Sequence, residues 1–196
     1  LIEALPPFFF NPKKQLNILD LGSGTGYGMT LALKKFPKAK VTGIDFSPRM
    51  INKSQKKLKA FSKRIKLVKG DFHKIGLGGK YEAIVSAVTI HNSPHKEKTK
   101  LFRKIFNSLA KGGFFVNADF IEGETAELDN CYRRIYREFL ENKLSGQELK
   151  IWLKHAFEED LPMKLSRQFK TLRSCGFSQT KLVWQFNNEA VYIAGK

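Results

Sequence analysis

Three glycines at alternating positions, Gly22, Gly24 and Gly26, follow the run Leu16-Asn-Ile-Leu-Asp-Leu21, and this junction constrains the chain more than any other stretch. A short apolar run ending in glycines suits a buried parallel strand that turns sharply into a helix. Glycines at such a turn let a ligand approach the main chain closely. The ligand would lie in the crevice beyond the carboxyl end of the strand. The spacing excludes two common phosphate loops. The dinucleotide fingerprint G-x-G-x-x-G would need glycine where Tyr27 or Met29 stands. A Walker A loop would need Gly-Lys-Ser/Thr, which is absent.

The rest of the chain alternates strand and helix. Residues 28–36 predict a helix with Leu31, Leu33 and Phe36 inward and Pro37 stopping it. Val41–Ile44 is a second strand. Ser47-Pro48 supplies an N-cap followed by Pro at N1 for a basic helix to about residue 62. Ile65–Val68 and Tyr81–Val88 hold the third and fourth strands. Ser93-Pro94 repeats the cap signature for a helix to Leu109, which Lys111-Gly-Gly113 should terminate. Phe114–Ile121 is the fifth strand. Such alternation implies a parallel sheet, helices on both faces and right-handed crossovers.

Residues 124–157 show no strand signal; Leu128, Tyr132, Ile135, Tyr136 and Phe139 follow helical spacing. Ser145-Gly-Gln-Glu148 is a capping box that should open a second helix. Pro162–Ser174 is a further helix. Gln179–Phe186 and Ala190–Ile193 are strands joined by Asn187-Asn188, which predicts a closing hairpin. We expect one domain over residues 1–196, with 124–161 as a helical cover rich in core-forming aromatics, Tyr132, Tyr136, Phe139 and Trp152. Leu1–Phe10 is read as an N-terminal helix plus a connector rather than a signal peptide.

Asp45, ending the second strand, is placed to accept hydrogen bonds from ribose hydroxyls. In Gly70-Asp71-Phe72 after the third strand, the acid can accept from an adenine amino group beside apolar neighbours. Ser86 and Ala87, ending the fourth strand, leave room for a ligand. With these residues in place, Ile18–Gly26, Val41–Asp45, Gly70–Phe72, Ile84–His91 and Lys111–Asp119 resemble the ordered motifs of class I S-adenosylmethionine-dependent methyltransferases, over essentially the whole chain. The resemblance implies a three-layer, doubly wound, Rossmann-like α/β sheet of order 3-2-1-4-5-7-6 with strand 7 antiparallel, and S-adenosylmethionine as cofactor. It implies that Asp20, Gly22, Ser23, Gly24 and Gly26 hold the methionine part, Asp45 the ribose, and Asp71 with Phe72 the adenine. Phe46, Met50, Gly70, Ser86 and Ala87 complete the expected cofactor site.

Within the family, the tail from Leu161 to the end is similar to enzymes that make or use carboxy-S-adenosylmethionine for tRNA wobble-uridine modification. Those synthases hold the extra carboxylate with an arginine of the insertion, and this chain has no Arg between Arg137 and Arg167. The Ile90-His91 pair after strand 4 resembles small-molecule methyltransferases, which usually have a second His where Asn92 stands.

Methyl transfer is an in-line displacement governed by alignment, and it needs a base only where the nucleophile carries a proton that must leave. His91 is the candidate base. His73 could line the adenine end. Glu158, Glu159 and Asp160 are expected to form a solvated acidic face. The Asn/Asp-Pro-Pro-aromatic signature of amino-methylating nucleic-acid enzymes is missing from Ser86–Pro94, and no cysteine lies near for carbon-5 pyrimidine chemistry. The expected function is methylation of an O or N atom of a small-molecule acceptor. The alternatives are a tRNA-modifying or carboxymethyl-transfer-related enzyme, and a non-catalytic cofactor-binding partner protein.

Composition bears on partners and compartment. No apolar run approaches the ~20 residues that span a bilayer. Two cysteines, Cys131 and Cys175, make neither a disulfide framework nor a CxxC metal pair. The expectation is therefore a cytoplasmic monomer or homodimer with no membrane partner and no metal. The net charge is +17, and residues 1–119 carry 23 Lys/Arg against 7 Asp/Glu. That imbalance motivates tRNA as the alternative partner. Lys outnumbers Arg 27 to 8, and the lysines fall mostly on outer helix faces, which favours a solvated surface.

Overall fold

The computed structural model describes residues 1–5 and 15–196. The connector expected after the N-terminal helix lies outside the described residues; Ile2–Ala4 form one 3-10 turn. Seven strands follow: β1 (Asn17–Leu21), β2 (Lys40–Asp45), β3 (Ile65–Lys69), β4 (Tyr81–Ala87), β5 (Leu109–Phe120), β6 (Gln179–Phe186) and β7 (Glu189–Gly195). They form one sheet of order β3-β2-β1-β4-β5-β7-β6. The pairs from β3 through β5 are parallel, and β7 runs antiparallel to both β5 and β6. The helices are α1 (Tyr27–Lys35), α2 (Pro48–Lys57), α3 (His95–Ser108), α4 (Ala126–Lys143), α5 (Gly146–Lys154) and α6 (Leu165–Ser174).

The order places the switch point between β1 and β4, where consecutive crossovers leave in opposite directions and a crevice opens beyond the strand ends. The sheet has an apolar layer on each face. On one, Leu101, Phe102 and Ile105 of α3 and Leu172 of α6 pack on Leu19, Ile84, Phe115 and Tyr192. On the other, Met29, Ala32 and Leu33 of α1, with Ile2 and Leu5, pack on Ile18, Val41, Val85 and Val116.

Several local expectations are corrected. Leu31 is 42% exposed, because the buried stripe of α1 runs through Met29, Ala32 and Leu33 at i, i+3, i+4. The basic helix ends at Lys57 and continues as a 3-10 turn, Lys59–Arg64. Ser93 does not cap α3; its hydroxyl faces His73 Nε2 at 2.8 Å. Lys111-Gly-Gly113 does not terminate that helix. α3 passes directly into β5, and residues 110–113 loop out where the register jumps from Tyr81↔Leu109 to Ala83↔Phe114. A Cβ on Gly113 would sit 3.0 Å from the carbonyls of Tyr81 and Ala110, so a side chain there would have to push these backbone groups aside. Ser145 precedes α5 without a side-chain cap bond, because Gly146 at φ +57 turns the backbone instead. Phe139 and Trp152 are 53% and 43% exposed rather than core, since α4 and α5 lie beyond the sheet edge.

One buried polar chain fastens α6 to the sheet. Tyr192 Oη accepts from Asn117 Nδ2 at 2.9 Å and donates to Gln168 Oε1 at 2.6 Å, and Gln168 Nε2 donates to the Met163 carbonyl at 3.0 Å. Tyr192→Phe strands an amide donor and an amide acceptor in a closed core. We expect a loss of about 1–3 kcal/mol, measured by urea denaturation with an unchanged m-value.

Candidate active site

The glycine turn forms at the carboxyl end of β1. Gly22 N–H and Ser23 N–H both donate to the Ile44 carbonyl, at 2.9 and 3.0 Å. Gly22 has φ +69, and a Cβ there would lie 2.4 Å from the Thr89 side chain. Gly24 has φ +51, yet nothing but the Gly22 carbonyl, at 3.9 Å, approaches its Cβ position. One glycine is thus closed off by the loop after β4, and the next is open to a ligand. Gly26, also left-handed at φ +79, caps α1.

Three acids stand around this turn. Asp45 Oδ2 accepts from Gly24 N–H and its Oδ1 from Ser47 N–H, each at 2.8 Å. A carboxylate offers about four acceptor sites, so two remain. Asp20 is buried, and burial together with the nearby Asp45 charge pushes its carboxyl up to about 7. Asp71 Oδ1 accepts from His73 N–H at 2.8 Å, and its other oxygen lies 3.6 Å from Lys74 Nζ.

The remaining expected residues fall into two groups. Phe46 is 75% exposed directly beyond Asp45, Ala87 is exposed, and Met50 is half-buried in the first turn of α2. Gly70 N–H donates to the Asp45 carbonyl at 2.9 Å, the Ser86 hydroxyl to the Leu21 carbonyl at 3.2 Å, and Phe72 is buried in the core with its ring 4.7 Å from that of His73. Val88, which the sequence did not single out, is 59% exposed at φ +49. A β-branched residue in the left-handed region is strained, and such residues collect at functional sites.

These residues fit an adenosyl sulfonium on three observations. The Gly24 main chain is open. The buried Ser23 hydroxyl has no hydrogen-bond partner. The Asp20–Asp45 pair disfavours its own second negative charge, a penalty that a cationic ligand relieves.

His91 lies in the turn Ile90–Asn92 beyond β4. Its Nδ1 is 2.5 Å from Asp119 Oδ1 and its Nε2 is 3.4 Å from Asp160 Oδ1. Burial alone would lower its pKa, but the hydrogen bonds and charges of Asp119 and Asp160 outweigh it and raise the imidazole to about 9. With both ring nitrogens facing carboxylates, the protonated form of His91 is favoured, and neither nitrogen faces the open crevice as a free base. Glu158 and Glu159 are exposed as expected, whereas the Asp160 side chain is nine-tenths buried against this ring. Leu161 N–H donates to the His91 carbonyl at 3.1 Å, and the buried Lys98 ammonium donates to the Leu161 carbonyl. Burial lowers Lys98 to about 8 against the pull of Asp119 and Asp160. The sequence signal for this network was faint. Asp119 ended a recognised motif without an assigned role, and Lys98 looked like one of many helix lysines.

Phe120 of β5 meets Tyr136 of α4 at 5.6 Å, and Tyr136 meets Phe157 edge-on at 6.3 Å. The insertion thus rests on the end of the sheet through aromatic rings. A cavity of about 140 Å³ opens beside it, lined by Val88, Ala118, Asp119, Phe120, Trp184 and Glu189, among others. Among the described residues no cluster of His, Cys, Asp and Glu suits a metal ion, and no helix is long and apolar enough to cross a membrane.

Residues 18–113 match the family described as "Methyltransferase domain". The chain is 29% identical to carboxy-S-adenosyl-L-methionine synthase of Nautilia profundicola, over all of this chain and 82% of that protein. It is 35% identical to malonyl-[acyl-carrier protein] O-methyltransferase of Priestia megaterium, over 67% of this chain and 46% of that one. Among solved structures, an O-methyltransferase family 2 protein of Planctomyces limnophilus in complex with apigenin superposes with TM-score 0.74 and 16% identity, over 99% of this chain and 55% of that one. Human N-acetylserotonin methyltransferase in complex with S-adenosylmethionine gives 0.65 and 18%, over 92% and 47%. The chain therefore spans about half the length of these solved structures.

The His91 ion pair makes a pH-dependent contribution. Its folded pKa lies above the ordinary 6.5, so the stabilisation is complete below about pH 6.5 and is lost as pH rises through about 9. We expect His91 to titrate near pH 9 by NMR, and Asp119→Asn to bring that midpoint down toward 6.5. The stability gap between wild type and variant should be on the order of 3 kcal/mol near pH 6 and should narrow as pH approaches 9.

Proposed function

Because residues 18–113 match the methyltransferase-domain family and the sheet has the order β3-β2-β1-β4-β5-β7-β6, we propose that the chain is a class I S-adenosylmethionine-dependent methyltransferase that transfers a methyl group to an oxygen or nitrogen atom of a small acceptor. The observation that carries this reading is the acid pair beside the open glycine turn. Asp20 and the turn Gly22–Gly26 would hold the methionine part, Asp45 with Phe46 and Met50 the ribose, and Asp71 the adenine end. The cofactor supplies a methyl group on a positively charged sulfur. The chain supplies alignment, exclusion of water and an electrostatic setting.

His91 serves in this reading as a fixed positive charge and not as the base first expected, because Asp119 and Asp160 hold it protonated. The acceptor must then arrive with a free lone pair, as a carboxylate, a phenolate or an unprotonated amine. The cavity of about 140 Å³ between Val88, Asp119, Phe120 and the β6–β7 hairpin residues Trp184 and Glu189 suits a compact acceptor group. The carboxylate methylated in the Priestia megaterium relative's named substrate is an acceptor of this kind.

A second reading, formation or use of carboxy-S-adenosylmethionine, is favoured by the similarity that runs through the whole chain. The missing arginine between Arg137 and Arg167 weighs against it. Native mass spectrometry of the purified protein separates the two. Retained S-adenosylhomocysteine, the product of methyl transfer, supports the first reading, and a carboxylated derivative of S-adenosylmethionine supports the second.

Cofactor binding itself gives a sharper check. The raised Asp20 carboxyl is about half protonated near pH 7, and a cation bound beside it should drive that proton off. Calorimetric titration with S-adenosylmethionine in buffers of different ionisation enthalpy should show up to about half a proton released at pH 7. Asp20→Asn should abolish the release and weaken affinity at least tenfold. Unchanged affinity in that variant would remove Asp20 from the site.

A further inference from the structure

The cations of this chain are not spread evenly over its surface. Two clefts outside the methyl-transfer site are lined by them. The first, about 390 Å³, runs along the outer face of α3, with Lys96, Lys100, Arg103 and Lys104 on its wall and His73 at one end. The second, about 460 Å³, lies at the amino edge of the sheet between Lys40, Lys63, Arg64, Lys66 and Lys80. They meet where Lys80 Nζ donates to the carbonyl of Asn107, the last α3 residue of the first cleft, at 2.5 Å.

Pairing within this band is sparse. Lys100 is bound to Glu97 at 2.8 Å. Lys104 and Arg64 spend their donors on backbone carbonyls. Lys40, Lys63, Lys66, Lys96 and Arg103 are exposed, and among the described residues none of them is paired with a carboxylate. A row of unneutralised charges along joined clefts is a poor arrangement for a free surface, because the cations repel one another.

We infer that the outer face of α3 and the adjoining amino edge of the sheet bind the phosphodiester backbone of a nucleic-acid strand. The 14 residues of α3 span about 21 Å, long enough to face several successive phosphates. Lysine ammonium groups serve backbone neutralisation, which needs charge and not bidentate geometry. The cations line concave clefts and sit on no projecting element that would enter a duplex groove, so the fit is to a single-stranded or looped segment. A protein partner fits less well, since interface cores are depleted of lysine and enriched in large aromatic residues. Tyr81, Val41, Ile65 and Leu101 also line these clefts, but they are buried or half-buried, and the fully exposed side chains are mostly lysine and arginine. His73, which also lines the first cleft, has its backbone N–H on Asp71 and its ring against the Ser93 hydroxyl. The inference stands apart from the methyl-acceptor reading; a chain that binds nucleic acid here and methylates none of it satisfies it.

The test compares two variants of equal net charge. One carries Lys66→Glu, Lys96→Glu and Arg103→Glu in the band. The other carries Lys53→Glu and Lys56→Glu on α2 and Lys143→Glu on α4, exposed residues that line neither cleft. Binding of a fluorescent 20-nucleotide single-stranded RNA, and of the matching DNA, is measured from 50 to 200 mM salt. The band variant should bind both strands at least tenfold more weakly and lose about 2 units of salt slope, as three lost phosphate contacts require. The control should stay within threefold of wild type. Equal weakening in both variants would mean that net charge alone is at work and would overturn the inference. So would polyglutamate competing as well as RNA at equal charge. Should the glutamate variant melt early, glutamine at the same three positions carries the comparison.

Discussion

Five donors converge on the buried carboxylate of Asp119, and the carboxyl edge of the sheet is organised around it. The backbone N–H groups of Ile90, His91 and Phe120 donate to it at 2.9, 3.0 and 3.0 Å, Asn117 Nδ2 lies at 3.4 Å, and His91 Nδ1 at 2.5 Å. A charge removed from water must be met by donors or a counter-charge, or its burial costs several kcal/mol. Meeting that need draws the turn after β4 onto the end of β5. The same turn carries Thr89, whose side chain fills the space a Cβ on Gly22 would take. It also carries Val88, held exposed at positive φ. A carboxylate on the fifth strand thus determines how the loop of the fourth closes on the glycine turn of the first.

The same charge extends the network to the insertion. His91, held protonated by Asp119, turns its other nitrogen to Asp160 at the foot of α5 and its following π-turn. Lys98 and the His91 carbonyl fix Leu161 beside it. The cover is therefore anchored at its carboxyl end by ionic and backbone bonds, and more loosely by rings around Tyr136. Buried ionic groups often add little net stability. What they impose here is geometry, since the Asp160 carboxylate lies between two imidazoles, 3.4 Å from His91 Nε2 and 3.6 Å from His155 Nε2.

The sequence made the frame legible and left its electrostatics largely hidden. Alternating apolar runs and glycine punctuation give strand and helix identity from local chemistry, so β1 through β4, β5 from Phe114 onward and the hairpin stand where periodicity puts them. The glycine turn was legible because φ values near +50 to +80 are open to few other residues. The bulge at residues 110–113 was not legible, because Lys-Gly-Gly is equally good as a helix stop and only pairing with Tyr81 and Ala83 decides the matter. Asp160 was misjudged for a related reason. Three consecutive acids read as a solvated face, and nothing local reveals that the third turns inward toward a histidine 69 positions away.

These two levels meet in the distribution of charge. Although the chain carries +17, its buried carboxylates, Asp20, Asp45 and Asp119, lie at the carboxyl ends of parallel strands. The cations line the outer face of α3 and the amino edge. A composition that suggests only a polyanion binder therefore folds into a molecule with an acidic crevice. Burial strengthens the field of the few acids, and water screens that of the many exposed lysines. A cation placed between Asp20 and Asp45 would meet attraction despite the net positive charge. Net charge counts side chains equally, but the crevice weights them by depth and distance, and so it can select a cation within a basic protein.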